Sequence, residues 1–217
     1  MKKIQLILLW TALSGLFACQ SPAEQASQDA AQEPNPTQQA IDPDSSLAGV
    51  YQPWDGHWRG TFTVYLDSTG QQPGEAQPPV TDPALLDSLP LQLSSQLSVE
   101  QFYQSTSPFH QTVRIIDTYA DGRTVESTGY NTVRGDTMLC VVNKPDERVV
   151  HRGRHPAPQV IVWQRHLTQP LKIEYFYEKV DRDTYSILGW GYYGSDDPQL
   201  TPRTWFLAEY ERVDSEQ

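Results

Sequence analysis

Apolar and polar positions alternate along most of the chain after about residue 50, which is the pattern of half-buried β-strands. In the segment 58–66, Trp58 and Phe62 fall on one face, whereas Arg59 and Thr61 fall on the other. Stretches with a helical period are almost absent, so the pattern predicts an all-β domain. Similar strand patterns recur at 91–104, 110–119, 123–134, 137–143, 147–151, 159–166, 171–178, 183–192 and 203–213.

Short turn sequences separate several neighbouring strands. Asp121-Gly122, Gly135-Asp136 and the segment 181–183 are typical of β-hairpin turns. Strands in direct hairpin succession favour an antiparallel up-and-down meander, and closing that meander into a barrel removes its exposed edges. We therefore predict a β-barrel of about eight to ten strands, with a β-sandwich as the alternative.

A Pro-rich segment, 71–90, separates the first strand from the second. Within it, Asp82-Pro83 precedes Ala84-Leu85-Leu86-Asp87, which predicts a short helical turn with an Asp N-cap and proline at its first position. Two interpretations stay open for this connection: a lid across an open end of the barrel, or an excursion over the surface.

The first nineteen residues have the pattern of an export signal. Lys2 and Lys3 precede a short apolar run that ends at Leu16-Phe17-Ala18-Cys19. These last four residues resemble the lipobox of bacterial lipoproteins. The resemblance implies that residues 1–18 are a signal peptide and that Cys19 carries a lipid that anchors the protein to a membrane. Because Gln20 and not Asp follows Cys19, the enterobacterial sorting rule favours the outer membrane of the bacterial cell envelope.

Residues 19–50 are rich in Gln, Ala, Ser and Pro and contain few large apolar side chains. This composition predicts a disordered tether, because it cannot bury enough apolar surface to offset the entropy lost on ordering. The tether would join the lipidated cysteine to a single β-barrel domain at 51–217.

The formal net charge of −11 makes the chain strongly acidic, and removal of Lys2 and Lys3 with the signal would increase the negative charge. This charge argues against nucleic acid as a partner and against adsorption to anionic lipid. With Cys19 lipidated, Cys140 is left without a disulfide partner. Its apolar neighbours, Leu139 and Val141, indicate a small buried hydrophobic residue and not a nucleophile.

The first strand opens with Gly56-x-Trp58, which resembles the signature of the lipocalin and wider calycin superfamily. The resemblance implies a barrel in which Trp58 closes the base and a basic residue from the last strand packs over its ring. Arg212 is the candidate for that basic residue, with Arg203 as the alternative. The chain departs from typical lipocalins in having no disulfide pair and in the long segment after its first strand.

A barrel of this size has room for one small ligand between its inward-facing side chains. Aromatic residues on alternating strand positions are the candidate lining, although a shift of one residue in register would place them outside the barrel. They could equally fill a solid core. The candidate ligand-binding residues are Phe102, Tyr130, Trp163, Tyr175, Tyr177 and Trp190.

The histidines predict no metal or haem site. His151 and His155 are four residues apart, but Gly153 and Pro156 indicate a turn in which the two imidazoles need not converge. We therefore predict no metal and no other cofactor. The remaining histidines are His57, His110 and His166.

Signals for catalysis are weak. The chain contains none of the common nucleophile, zinc-hydrolase, P-loop or dinucleotide motifs, so no catalytic residue is assigned. Glu174 and Glu178 alternate with aromatic residues and could form a buried carboxylate pair. The solvent-facing side of a strand is the interpretation we favour for them.

These observations predict a membrane-anchored envelope lipoprotein that binds a hydrophobic or aromatic small molecule in a lipocalin-like barrel. The alternative is a structural lipoprotein with a solid barrel whose outer surface docks an envelope protein partner. A third hypothesis is a barrel enzyme, an isomerase or hydrolase, which requires a histidine and a carboxylate to converge inside a cavity.

Overall fold

The computed structural model describes residues 42–74 and 80–213, and ten antiparallel strands account for most of them. Each strand pairs with its neighbour in sequence, and β1 pairs with β10 to close the barrel. The predicted all-β up-and-down barrel is confirmed at ten strands, and the alternative β-sandwich is wrong. The strands are β1 (Gly56–Asp67), β2 (Leu91–Ser107), β3 (His110–Thr118), β4 (Thr124–Arg134), β5 (Thr137–Asn143), β6 (Arg148–Ala157), β7 (Val160–Thr168), β8 (Leu171–Val180), β9 (Thr184–Tyr193) and β10 (Thr204–Arg212).

The predicted signal peptide, Cys19 and the tether up to residue 41 lie outside the described residues. The last part of the predicted tether, residues 42–50, is folded against the barrel. Two 3-10 helices, Ser45–Leu47 and Gln52–Trp54, pack under one end of the barrel, which we call the base. The amide of Gly49 donates to the carbonyl of Pro108 at 2.7 Å, and Val50 is buried. The packed region therefore begins upstream of the predicted boundary at residue 51, because the chain turns apolar there and covers the barrel end.

Trp58 is fully buried at the base, and Arg212 lies opposite it in the β1–β10 register. The Arg212 guanidinium is 4.1 Å from the centre of the Trp58 ring, and its Nη1 donates to the carbonyl of Asp55 at 2.6 Å. Gly56 has a φ of +129°, and a Cβ at this position would collide with the Arg212 guanidinium. Both the conformation and the space at the first position of Gly56-x-Trp58 therefore require glycine. Arg203 precedes β10 at the other end of that strand.

The Pro-rich connection forms the predicted helical turn, α1 (Ala84–Asp87), but Pro83 and not Asp82 occupies the N-cap, so the helix begins one residue later than predicted. The Asp82 carboxylate still accepts a hydrogen bond from the Ala84 amide at 2.9 Å. Leu86 and Val80 pack against Trp190 on the outer face of the barrel. The described part of this connection is therefore a surface excursion over the sheet and not a lid.

The segment predicted to turn around Gly153 and Pro156 continues instead as strand β6. A Cβ at Gly153 would collide with the indole of Trp163, so this glycine provides space for a ring and not a turn. Pro156 falls where the β6–β7 register shifts, between Arg154 and Ala157, so its missing amide proton does not interrupt the ladder. No helix among the described residues is long and apolar enough to cross a membrane.

Candidate functional site

The barrel encloses a cavity of about 270 Å³ lined by inward-facing side chains of the strands. Its middle section is apolar, and the rings of Phe62 and Phe176 form one wall, with Phe206 packed against both of them. The ring centres are 5.7 Å apart for Phe62 and Phe206 and 5.2 Å apart for Phe176 and Phe206. This wall provides a surface for an apolar or aromatic ligand body.

Charged side chains form a network at the end of the cavity opposite the base, which we call the loop end. Glu147 lies in the β5–β6 turn, and one of its carboxylate oxygens accepts hydrogen bonds from Arg165 at 2.6 Å and from Lys172 at 2.7 Å. Partial burial opposes ionisation of Glu147, but these two cations outweigh it and lower its pKa to about 2. The Arg165 side chain is only 7% exposed, so its charge is compensated inside the protein.

Next to this network, a histidine and a carboxylate meet inside the cavity. His151 Nε2 is 3.0 Å from Glu174 Oε2, and the Tyr193 hydroxyl donates to Glu174 Oε1 at 2.8 Å. Arg165 Nη1 is 3.7 Å from the same carboxylate. Burial acts to raise the pKa of Glu174, but the contacts with His151, Tyr193 and Arg165 outweigh it and lower the pKa. Glu174 is therefore held as a carboxylate that orients the His151 ring.

The favoured interpretation of Glu174 and Glu178 as solvent-facing is wrong, because both carboxyls line the cavity together with Phe176. Glu178 lies towards the base, among Trp163, Tyr185 and other aromatic side chains. Burial raises its pKa to about 7, although Trp163 and Tyr185 interact with the carboxyl and moderate the rise.

Some polar side-chain atoms that line the cavity have no hydrogen-bond partner among the described residues. The Asn131 Nδ2 group donates to Gln111 Oε1 at 2.8 Å, and Gln111 Nε2 in turn donates to the Tyr51 carbonyl at 2.8 Å. This chain fixes the orientation of the Asn131 amide and leaves its Oδ1 atom unpartnered. The Ser127 hydroxyl, which lies nearer the loop end on β4, is also buried without a partner, and both residues line the cavity.

Of the six aromatic residues predicted to bind a ligand, Trp163 lines the cavity and the other five do not. Tyr175 packs on Trp190 at 4.4 Å between ring centres, on the outer face that the Pro-rich excursion covers. Tyr177 lies on the same side of β8 as Tyr175, two residues further along. The register of β8 and β9 therefore has the opposite parity from the one that the prediction required.

The two remaining predicted residues also contact outer-face side chains. Phe102 lies between the His57 ring, at 4.1 Å, and the Arg114 guanidinium, at 4.9 Å from the Phe102 ring centre. Tyr130 stacks on His110 at 5.4 Å. These contacts explain the aromatic character of the two positions without a ligand.

The histidines differ in their location relative to the cavity. His151 lines the cavity, whereas His166 is exposed on β7. Burial lowers the pKa of His155, which does not line the cavity. Among the described residues, no three or more His, Cys, Asp or Glu side chains form a group that could hold a metal ion. Cys140 faces the cavity, and burial followed by the nearby Glu178 charge raises the pKa of its thiol, which suppresses the nucleophilic thiolate.

Sequence reasoning missed the charged interior: Glu147, Arg165, Glu174 and Glu178. One signal for it was available. The charged residues of β8 occupy every second position around Phe176, and an aromatic residue that shares a strand face with carboxyls is typical of a polar cavity as well as of a solvent-facing strand.

The fold and the cavity together define a closed ten-stranded antiparallel β-barrel with a partly polar interior. The sequence matches no family model and no curated protein. Among solved structures, the chain is similar to Rv2717c from M. tuberculosis, with 16% identity and a TM-score of 0.48 over 77% of this chain and 99% of that chain.

Two engineered proteins are also similar. One is a redesigned β-barrel with 15% identity and a TM-score of 0.38 over 77% of this chain and 98% of that chain. The other is the redesigned β-barrel mFAP1 bound to DFHBI, with 14% identity and a TM-score of 0.36 over 76% of this chain and 100% of that chain. At these identities and scores, the similarities carry no inference about function.

Proposed function

We propose that the protein is a lipid-anchored lipoprotein of the bacterial cell envelope that binds a small apolar or aromatic molecule inside its barrel. The observation that carries the binding proposal is the cavity of about 270 Å³, in which an aromatic wall lies between polar groups at both ends. The lipobox sequence ending at Cys19 supports the anchor. A solid barrel that acts through its outer surface is disfavoured, because the interior is not filled and the aromatic residues around Trp190 are covered.

Two matched substitutions test the binding proposal. Ser127 faces the cavity and its hydroxyl has no protein partner, so Ser127→Phe fills the cavity without breaking a protein hydrogen bond. The neighbouring Thr128 is exposed on the outer face, so Thr128→Phe adds the same ring outside.

The full chain and both variants would be purified from bacterial membranes and measured by native mass spectrometry before and after denaturation. We expect an extra mass that is lost on unfolding in the parent chain and in Thr128→Phe, but is absent or strongly reduced in Ser127→Phe. No extra mass in any of the three proteins, or equal amounts in both variants, would contradict binding in the cavity.

A second candidate function is a barrel enzyme, because the contact between His151 and Glu174 is the convergence that this hypothesis requires. Glu174 accepts from His151 Nε2–H, which leaves Nδ1 to act as a general base toward water or an acidic C–H group in the cavity. Such a pair fits a hydrolase or an isomerase.

Hydrolysis of 4-nitrophenyl acetate by the full chain tests the reactivity of this base. His151→Asn should lower the rate, whereas His166→Asn, on the exposed side of β7, should leave it unchanged. Equal rates for both variants would reject the enzyme candidate and leave the binding proposal in place.

A further inference from the structure

The two carboxyl groups that β8 points into the cavity are in different electrostatic surroundings. Glu174 is hydrogen-bonded to His151 and lies 3.7 Å from the Arg165 guanidinium, which compensates its charge inside the protein. Glu178 has no ion pair among the described residues, and the groups that interact favourably with it, Trp163 and Tyr185, are uncharged. The cations at the loop end interact with other carboxylates: Arg165 and Lys172 contact Glu147, Arg165 also lies near Glu174, and Lys144 interacts with Asp117. None of these contacts involves Glu178.

The Glu178 carboxyl is enclosed by the barrel but is not sealed off from the cavity. Its side chain keeps part of its surface accessible, and Glu178 is among the residues that line the cavity. An uncompensated carboxyl at such a position costs free energy unless a partner with positive charge or hydrogen-bond donors approaches it.

The groups near Glu178 also favour a cation. Tyr103, Tyr185 and Trp163 all line the cavity near the base, and Tyr185 packs edge-on against Tyr103 at 6.3 Å. Aromatic rings therefore surround the base end of the cavity. The faces of aromatic rings attract cations, and protein sites for organic ammonium groups are commonly built from them. The unpartnered Asn131 Oδ1 atom is an acceptor whose orientation is fixed, so it is available to accept a hydrogen bond from a ligand.

We propose that the base end of the cavity, formed by Glu178, Trp163, Tyr185 and Asn131, is a recognition site for an organic cation. The ligand is a protonated amine on a compact apolar or aromatic body. Its ammonium group pairs with the Glu178 carboxylate, and its body lies along the Phe62 and Phe176 wall. The inference rests on the proposed binding function and assigns its ligand class.

The cavity volume limits the size of that body. At about 270 Å³ it lies just below the range of about 300–1,000 Å³ that is typical of small-molecule sites. A body of about two fused rings with a short amine arm is therefore a suitable probe.

Three naphthalene probes of similar shape separate the charge of the ligand from its apolar body: 1-naphthylmethylamine, 1-naphthalenemethanol and 1-naphthoate. Their affinities for the full chain would be measured by titration calorimetry at pH 8. We expect the amine to bind about tenfold or more tightly than the alcohol, and the anionic naphthoate to bind weakest.

The variant Glu178→Gln removes the charge and keeps the shape. It should abolish the preference for the amine while leaving the affinity for the alcohol within about twofold. The matched control is Glu209→Gln, which removes a carboxylate from the exposed outer face of β10 and should keep the preference. If Glu178→Gln does not fold, Glu178→Asp keeps the charge and should retain a preference for the amine.

The outcomes separate the two proposals. Equal binding of the amine and the alcohol to the parent chain, or an undiminished preference in Glu178→Gln, would overturn the cation site and leave the barrel as a binding protein. Absence of binding by all three probes, together with a clean apo mass in the native spectrum, would overturn the binding function itself.

Discussion

Glu178 gives the free energy of unfolding a pH dependence whose sign follows from its raised pKa. Its pKa is about 7 in the folded protein, compared with an ordinary value of 4.5. Below about pH 4.5 the carboxyl is protonated in both the folded and unfolded states, so it costs nothing. As the pH rises towards 7, the unfolded state ionises first and the folded state loses stability. Above pH 7 the cost is complete, at about 3 kcal/mol.

Glu178→Gln should therefore be more stable than the parent chain at pH 8, by up to about 3 kcal/mol, and the difference should largely vanish near pH 4. Urea denaturation at the two pH values measures this difference. The exposed control Glu209→Gln should follow the parent chain at both values. A Glu178→Gln variant that shows the same pH dependence as the parent would mean that this carboxyl ionises normally.

At the scale of the strands, the local pattern predicted where each element lies but not which face of it points inward. Period-two alternation and turn glycines such as Gly122 and Gly135, both with positive φ, are local signals and identified the hairpins. The inward face of β8 was not accessible in this way. Tyr175 was expected inside and Glu174 outside, and closure of the barrel sets the opposite parity.

The physical reason is that both faces of β8 are shielded from solvent. The outer face carries Tyr175 beneath the Pro-rich excursion, while the inner face carries Glu174 and Glu178 around a polar cavity. The rule that apolar residues point inward fails when a barrel holds its charged groups inside and covers its exterior with a loop. The contact between Trp58 and Arg212, in contrast, was predictable from the short motif Gly56-x-Trp58.

The contact between β1 and β10 gives a prediction for the base. Arg212→Met removes the guanidinium above Trp58 together with the hydrogen bond to the Asp55 carbonyl, and should destabilise the protein by about 1–3 kcal/mol. Arg212→Lys keeps the charge and should recover part of the loss. Thermal unfolding measures both variants.

The control is Arg182→Met, which removes a side chain that is 92% exposed and should change stability by less than about 0.5 kcal/mol. An equal loss of stability in Arg212→Met and Arg182→Met would contradict a specific role for Arg212.

At the scale of the whole molecule, the two cysteines are expected to have different chemistry, and this difference tests the proposed anchor. Cys19 follows the lipobox, whereas Cys140 faces the cavity with a thiol whose pKa is raised by burial. Cys19→Ala should abolish incorporation of labelled palmitate and release the chain from the lipidated membrane pool. Cys140→Ala should retain both the label and the membrane association, because burial keeps this thiol from acting as a nucleophile. Label in Cys19→Ala equal to that in the parent chain, or an unlabelled parent, would contradict the anchor. Binding of 1-naphthylmethylamine by Cys19→Ala would show that the cavity works without the anchor.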